Sequence, residues 1–161
     1  MMNGLMYGSI NPLHNNHIAL IKTGLEHFDL LHIFVRSEGD KDLVGYETKK
    51  QWLETLGGEF GGRLRVYPLD FPEEVFDADG RIDLVKVFLR TEQLTGVHAD
   101  GLITGDDKKD WIDTLQPAFP ERKFVMVASN EVITYDVREN LELLKDDVPA
   151  YVYESLHNVY G

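Results

Sequence analysis

Two histidines, His14 and His17, stand three residues apart in the segment Tyr7-Gly8-Ser9-Ile10-Asn11-Pro12-Leu13-His14-Asn15-Asn16-His17. A short apolar run ends at this segment and a stretch of helical period follows it. Gly8 and Ser9 are small enough to let a phosphate approach the backbone. Pro12 stiffens the loop, and Asn15 or Asn16 can cap the helix that comes next. A helix N-terminus offers unpaired N–H groups and a partial positive charge, which suits an anion. Neutral or charged, each imidazole has an N–H to give to a phosphate oxygen. The chemistry of this spacing is therefore phosphate binding. The bland alternative is a pair of ordinary polar residues opening a helix. A zinc reading is poorer than either, because H-x-x-H lacks the i, i+4 spacing and the glutamate of H-E-x-x-H, and the chain has no cysteine. No residue is assigned as a metal ligand.

The elements that must hold this loop alternate along the chain. Strand-like runs cover 4–7, 30–35, 64–69, 101–104 and 124–128, with Pro68 pushing the third toward an edge or an end. Ile18, Ile21, Leu25 and Phe28 share one face of a first helix. Helical patterns follow at 46–56, from Ile82 to near Gly96, and at 108–115, where Pro117 should stop the helix. Two more lie at 137–144 and 149–156. Alternation of this kind predicts an α/β fold: one Rossmann-like, doubly wound domain over residues 1–161 with a five-stranded parallel sheet. Ligands in such a sheet bind beyond the carboxyl ends of the strands. The loops after Tyr7, Val35, Thr104 and Ala128 are the places to look.

Composition narrows the partners. The chain has 161 residues, with 16 Lys+Arg, 28 Asp+Glu and a net charge of −12. Nucleic acid and anionic membranes need a basic surface, so neither is expected. No apolar run approaches the roughly 20 residues of a membrane span, and the opening residues do not read as a signal peptide. A soluble, cytoplasmic protein is the expectation, with an oligomer left open. The charge is uneven. Residues 1–36 hold Lys22 and Arg36 against Glu26 and Asp29, so the segment with the histidines is neutral. Arg36, Lys22, Lys49 and Lys50 are the basic residues near the expected strand ends.

The first loop resembles the G-x-F-x-P-x-H-x-G-H signature of the HxGH nucleotidyltransferase superfamily. Gly8, Pro12, His14 and His17 match in register, Ile10 stands for the Phe and Asn16 for the Gly. Asn tolerates the left-handed backbone better than most residues. The segment Val132-Ile133-Thr134-Tyr135-Asp136-Val137-Arg138 is similar to the second signature, near I-S-x-T-x-I-R, with Arg138 matching the arginine and Thr134 supplying a hydroxyl at a shifted offset. Arg138-Glu139-Asn140 and the later Val148-Pro149-Ala150-Tyr151 resemble the adenylyltransferase portion of the bifunctional NAD-biosynthesis regulator proteins. In isolation Arg138 would read as a helix-surface residue pairing with Glu139 or Glu142.

That resemblance implies transfer of AMP from ATP to nicotinamide mononucleotide, giving NAD and pyrophosphate. It implies His14, His17 and Arg138 as the catalytic group on the triphosphate. Tyr7, Gly8, Ser9, Ile10 and Thr134 would bind the nucleotide, and Mg²⁺ would be held mainly by substrate phosphates. Arg36, Asp106 and Trp111 would face the acceptor, with Asp106 on ribose or amide groups and Trp111 stacked on a pyridine ring. Asp106 or Asp107 as a helix cap, with Trp111 a partly buried core residue, is an equal reading of that turn. Other phosphomonoester acceptors remain alternatives: phosphopantetheine, nicotinate mononucleotide, or glycerol or choline phosphate with CTP. So does a nucleotide-binding module without catalysis.

Overall fold

The computed structural model describes residues 1–37, 39–128, 133 and 135–161. Strands β1 (Asn3–Gly8), β2 (Leu30–Arg36), β3 (Leu64–Leu69), β4 (Gly101–Gly105) and β5 (Lys123–Val127) form one sheet in the order β3-β2-β1-β4-β5. Every pairing is parallel. The helices among the described residues are α1 (Asn15–His27), α2 (Tyr46–Gly58), α3 (Leu84–Thr95), α4 (Lys109–Ala118), α5 (Leu141–Leu144) and α6 (Ala150–Tyr160). This is the doubly wound α/β architecture that the alternation predicts, with β3 at an edge as Pro68 requires.

The sheet is covered on both faces because its central strands are apolar on both. Met6, Leu31, Ile33 and Val35 pack with Ile21 of α1, Trp52 and Leu53 of α2 and Val152 and Leu156 of α6. On the other face Leu5, Tyr7, Phe34 and Leu102 meet Val87 and Phe88 of α3 and Leu115 of α4. The connection from β1 runs over one face to β2, whereas the chain returns to β4 on the other side of β1. The order therefore reverses between β1 and β4. A crevice opens there at the carboxyl ends of the strands.

Two helix ends differ from the sequence pattern. Pro117 lies inside the last turn of α4, which continues to Ala118. Near a helix C-terminus the missing N–H removes one bond without breaking the preceding turns. The expected helix at 137–144 is only Leu141–Leu144, preceded by a turn in which Asn140 N–H donates to the Val137 carbonyl at 3.2 Å. Among the described residues no helix is long and apolar enough to cross a membrane.

Candidate active site

At the crevice, α1 opens with a cap made by the histidines themselves. His14, with extended backbone, is the N-cap residue, in place of the expected Asn15 or Asn16. Its Nδ1 accepts from the Asn16 N–H at 3.2 Å, and Nδ1 of His17 accepts from the His14 N–H at 3.3 Å. This is the geometry of a capping box with imidazoles in both positions. The rings stack with centroids 3.8 Å apart and planes 23° from parallel. Asparagine could have taken the cap by its side chain, but Asn15 is turned elsewhere. Its N–H and Nδ2 donate to the carbonyls of Asp147 and Asp146 at 2.8 and 3.0 Å.

The cap fixes the protonation pattern. An Nδ1 that accepts must carry a lone pair, so in each neutral ring the proton sits on Nε2. Burial lowers the His14 pKa, opposed by nearby Asp147. Burial, reinforced by His14, pulls His17 down to about 3. Near neutral pH the pair is therefore two uncharged rings, each with one N–H donor left at Nε2.

Both rings line a cavity of about 440 Å³ together with Gly8, Ser9, Asn16, Thr104, Asp107, Lys108 and Ala128. Its walls come from the ends of β1, β4 and β5 and the first turn of α1. Asn16 is an ordinary helical residue, and it lies outside the left-handed region that would have called for glycine. At Gly8 an added Cβ would meet nothing of the protein closer than the Ile10 Cδ1 at 3.5 Å. The glycine therefore leaves open room beside the backbone, where a ligand can approach. At Gly105 the same atom would lie 2.7 Å from Asp107 Oδ1, so glycine lets that carboxylate fold back beside the strand end.

A smaller cavity of about 30 Å³ adjoins the first. Tyr7, Gly8, Ser9, Arg36, Leu69, Phe71, Lys108 and Trp111 surround it. The Arg36 guanidinium lies 5.4 Å from the Phe71 ring centroid, and Lys108 Nζ lies 5.4 Å from that of Trp111. Trp111 also packs against Tyr7 at 5.4 Å between ring centroids. It is half-buried, so one residue serves both the core and the cavity wall. The Tyr7 hydroxyl is engaged below the sheet by Thr91 Oγ1 at 2.6 Å, and burial raises its pKa.

Of the residues singled out by sequence, the structure gathers Tyr7, Gly8, Ser9, His14, His17, Arg36 and Trp111 around these two adjoining cavities. Ile10 is fully buried and lines neither. It holds φ at +49°, a strained conformation for a β-branched residue. Asp106 lines neither cavity; its neighbour Asp107 lines the larger one. Neither carboxylate caps α4, whose N-cap residue is Lys108 without a side-chain cap bond. Thr134 lies outside the described residues. Arg138 is exposed and also absent from both linings. Its guanidinium donates to the carbonyls of Asp40 and Asp42 at 3.2 and 3.1 Å and lies 5.7 Å from the Tyr160 ring centroid.

Two residues of the larger lining have no ligand-facing role in the sequence pattern. Asp107 is offered there only as a helix cap, one position from Asp106, and only the turn geometry separates them. Lys108 had no motif of its own. Among the described residues, no group of three or more His, Cys, Asp or Glu converges as a metal cage.

No family model and no curated protein matches the sequence. Solved structures do match the fold. A bifunctional NMN adenylyltransferase/ADP ribose pyrophosphatase from Francisella tularensis superposes with a TM-score of 0.72 at 16% identity, over 98% of this chain and 49% of that one. A structure of a protein of the same description from that organism, complexed with AMP and a manganese ion, gives 0.70 at 15% identity, over 98% and 48%. A provisionally assigned nicotinate-nucleotide adenylyltransferase from Vibrio parahaemolyticus gives 0.63 at 18% identity, over 98% and 93%. The chain thus spans about half the length of the Francisella proteins. At these identities the likeness is one of fold.

Proposed function

We propose that this chain is a nucleotidyltransferase that moves AMP from ATP to the phosphate of a mononucleotide, with nicotinamide mononucleotide as the favoured acceptor. The observation that carries the reading is the His14/His17 capping box, two neutral Nε2–H donors at a helix N-terminus on the wall of a cavity at the β1/β4 crevice. The fold likeness to adenylyltransferases supports the same reading.

An oxygen of the acceptor phosphate attacks the α-phosphorus of ATP in line. The bond from that phosphorus to the bridging oxygen breaks, and pyrophosphate leaves. No side-chain nucleophile is needed, so the protein contributes alignment and stabilisation of charge. His14 and His17 would donate from Nε2 to the triphosphate, with the backbone at Gly8 and Ser9 closing in from the other side. Neutral donors suit this task, since they bind the anion without exchanging a proton with it. Trp111, Arg36 and Tyr7 would form the acceptor side. Asp106, and Thr134 in the second signature, keep the supporting roles that the resemblance implies. Arg138 would anchor the 40–42 segment beside the phosphate loop through the two carbonyls it holds.

Asp107 is the carboxylate of this chain that would help hold magnesium carried in with the triphosphate, and the ion would supply charge neutralisation there. The donor set fits a cation carried by the substrate: among the described residues Asp107 is the one carboxylate in the larger lining, too few to cage a free ion. Incubation with ATP, Mg²⁺ and nicotinamide mononucleotide should yield NAD and pyrophosphate. If a folded sample yields none with this acceptor but turns over nicotinate mononucleotide or phosphopantetheine, the acceptor is reassigned. If none of the panel turns over, transfer is refuted.

A further inference from the structure

Two cavities that meet beside Gly8 and Ser9 share few side chains. Lys108 is one of them, and among the described residues it is the only lysine or arginine that lines both. It sits on the turn after β4, across the crevice from the β1 loop. Its backbone is the N-cap of α4, and its ammonium lies over the Trp111 ring. Half-buried, it is placed against the cavity walls and is not free on the surface.

The charge balance of the larger cavity makes this position matter. A nucleoside triphosphate brings several negative charges. The two histidines meet them as dipoles, since burial keeps both rings neutral. Arg138, the cation that the second signature offers, is turned toward the carbonyls of Asp40 and Asp42. Arg36 lines only the smaller cavity. Among the described residues Lys108 is thus the one fixed positive charge in the larger lining, and it also lines the smaller cavity on the acceptor side.

We propose that Lys108 is a catalytic residue: its ammonium contacts the α-phosphate of the donor and the phosphate of the acceptor where the two meet. The proposal rests on the nucleotidyl-transfer reading above. A single cation between two phosphates offsets the repulsion that opposes their approach, and it stabilises the charge on the transferred group. Its effect is largest when both substrates are present. Loss of the residue should therefore fall on turnover more than on the binding of either substrate alone.

The test compares the full chain with Lys108→Ala, Lys108→Arg and, as a control, Lys109→Ala, which alters an exposed neighbour outside both linings. Each is assayed with ATP, Mg²⁺ and the acceptor panel, and melting temperatures are recorded. The expected result is a fall in kcat of about 10²-fold for K108A, with both KM values changed by less than about fivefold. K108R should recover at least about a tenth of the rate, and K109A should match the wild type. A wild-type chain that turns over while K108A stays within about threefold of it overturns this assignment and leaves nucleotidyl transfer standing. So does a loss in K108A that is matched by K108R and accompanied by a lowered melting temperature in both, which marks a structural lysine. A wild-type chain inactive on every acceptor overturns both readings, before any variant is made.

Discussion

The ammonium of Lys49 lies 2.9 Å from the carbonyl oxygen of Ser9, so α2 holds the loop after β1 from behind. The same nitrogen pairs with Asp42 Oδ1 at 2.8 Å and reaches the Arg36 carbonyl at 3.4 Å. Its side chain is fully buried. One buried cation thus ties the loop after β1 to the segment after β2. Arg138 holds that same segment from outside.

Removing this tie should be expensive. Breaking a buried ion pair by deleting one partner costs about 3–5 kcal/mol, because the other is left uncompensated. Lys49→Met should lower the free energy of unfolding by about that much, read from urea denaturation. A loss under about 1 kcal/mol would show that the pair is dispensable.

The histidine cap and the histidine donors can be separated. His14→Asn keeps an N-cap acceptor but removes the imidazole donor, so stability should stay within about 1 kcal/mol of wild type while kcat falls about 10²-fold. His17→Ala should lose both the donor and one capping bond, with a similar fall in kcat of about 10²-fold. If His14→Asn retained more than half of the activity, that donor would drop out of the mechanism.

Acid should destabilise the fold well above the carboxylate range. His17 is held down to about 3, and burial, helped by Arg65, holds His32 down to about 4. His32 is locked between Tyr67 Oη at 2.8 Å and Asn3 Oδ1 at 3.0 Å. In the unfolded chain both titrate near about 6.5. Below that pH the unfolded state takes up protons that the fold refuses, so stability falls with pH toward the folded values and is flat above about 6.5. Each histidine adds a slope of up to about 1.4 kcal/mol per pH unit. Urea unfolding between pH 7.5 and 5 measures the sum, and His32→Gln should flatten it.

Trp111 should report on the acceptor alone. Trp111→Leu is expected to raise the acceptor KM about tenfold, a loss of about 1.4 kcal/mol, and to leave the KM for ATP unchanged. An equal rise for both substrates would place the ring at neither side in particular.

Arg138→Ala distinguishes an anchor from a phosphate ligand. As an anchor of Asp40 and Asp42 it should lower kcat by less than about tenfold, whereas loss of a transition-state donor costs about 10²-fold or more. The steady-state rate with saturating ATP decides between them.

The sequence alone determined the order of strands and helices and the edge position of β3, and it marked the first loop as a small-residue turn running into a helix. Those features are local. Apolar period, a proline within a strand pattern and small residues before a helix act within a few residues of one another. Tertiary structure decided the rest. His14 became the cap because Asn15 was drawn to the carbonyls of Asp146 and Asp147, which lie 131 and 132 positions away in the chain. Arg138 was turned to carbonyls 98 and 96 positions away, which no local pattern encodes. The same holds for Lys49 and Lys108. A lysine in a helical stretch looks the same in sequence whether it is solvated or buried. Only the sheet order, which sets β1 between β2 and β4, brought the two to opposite sides of one loop.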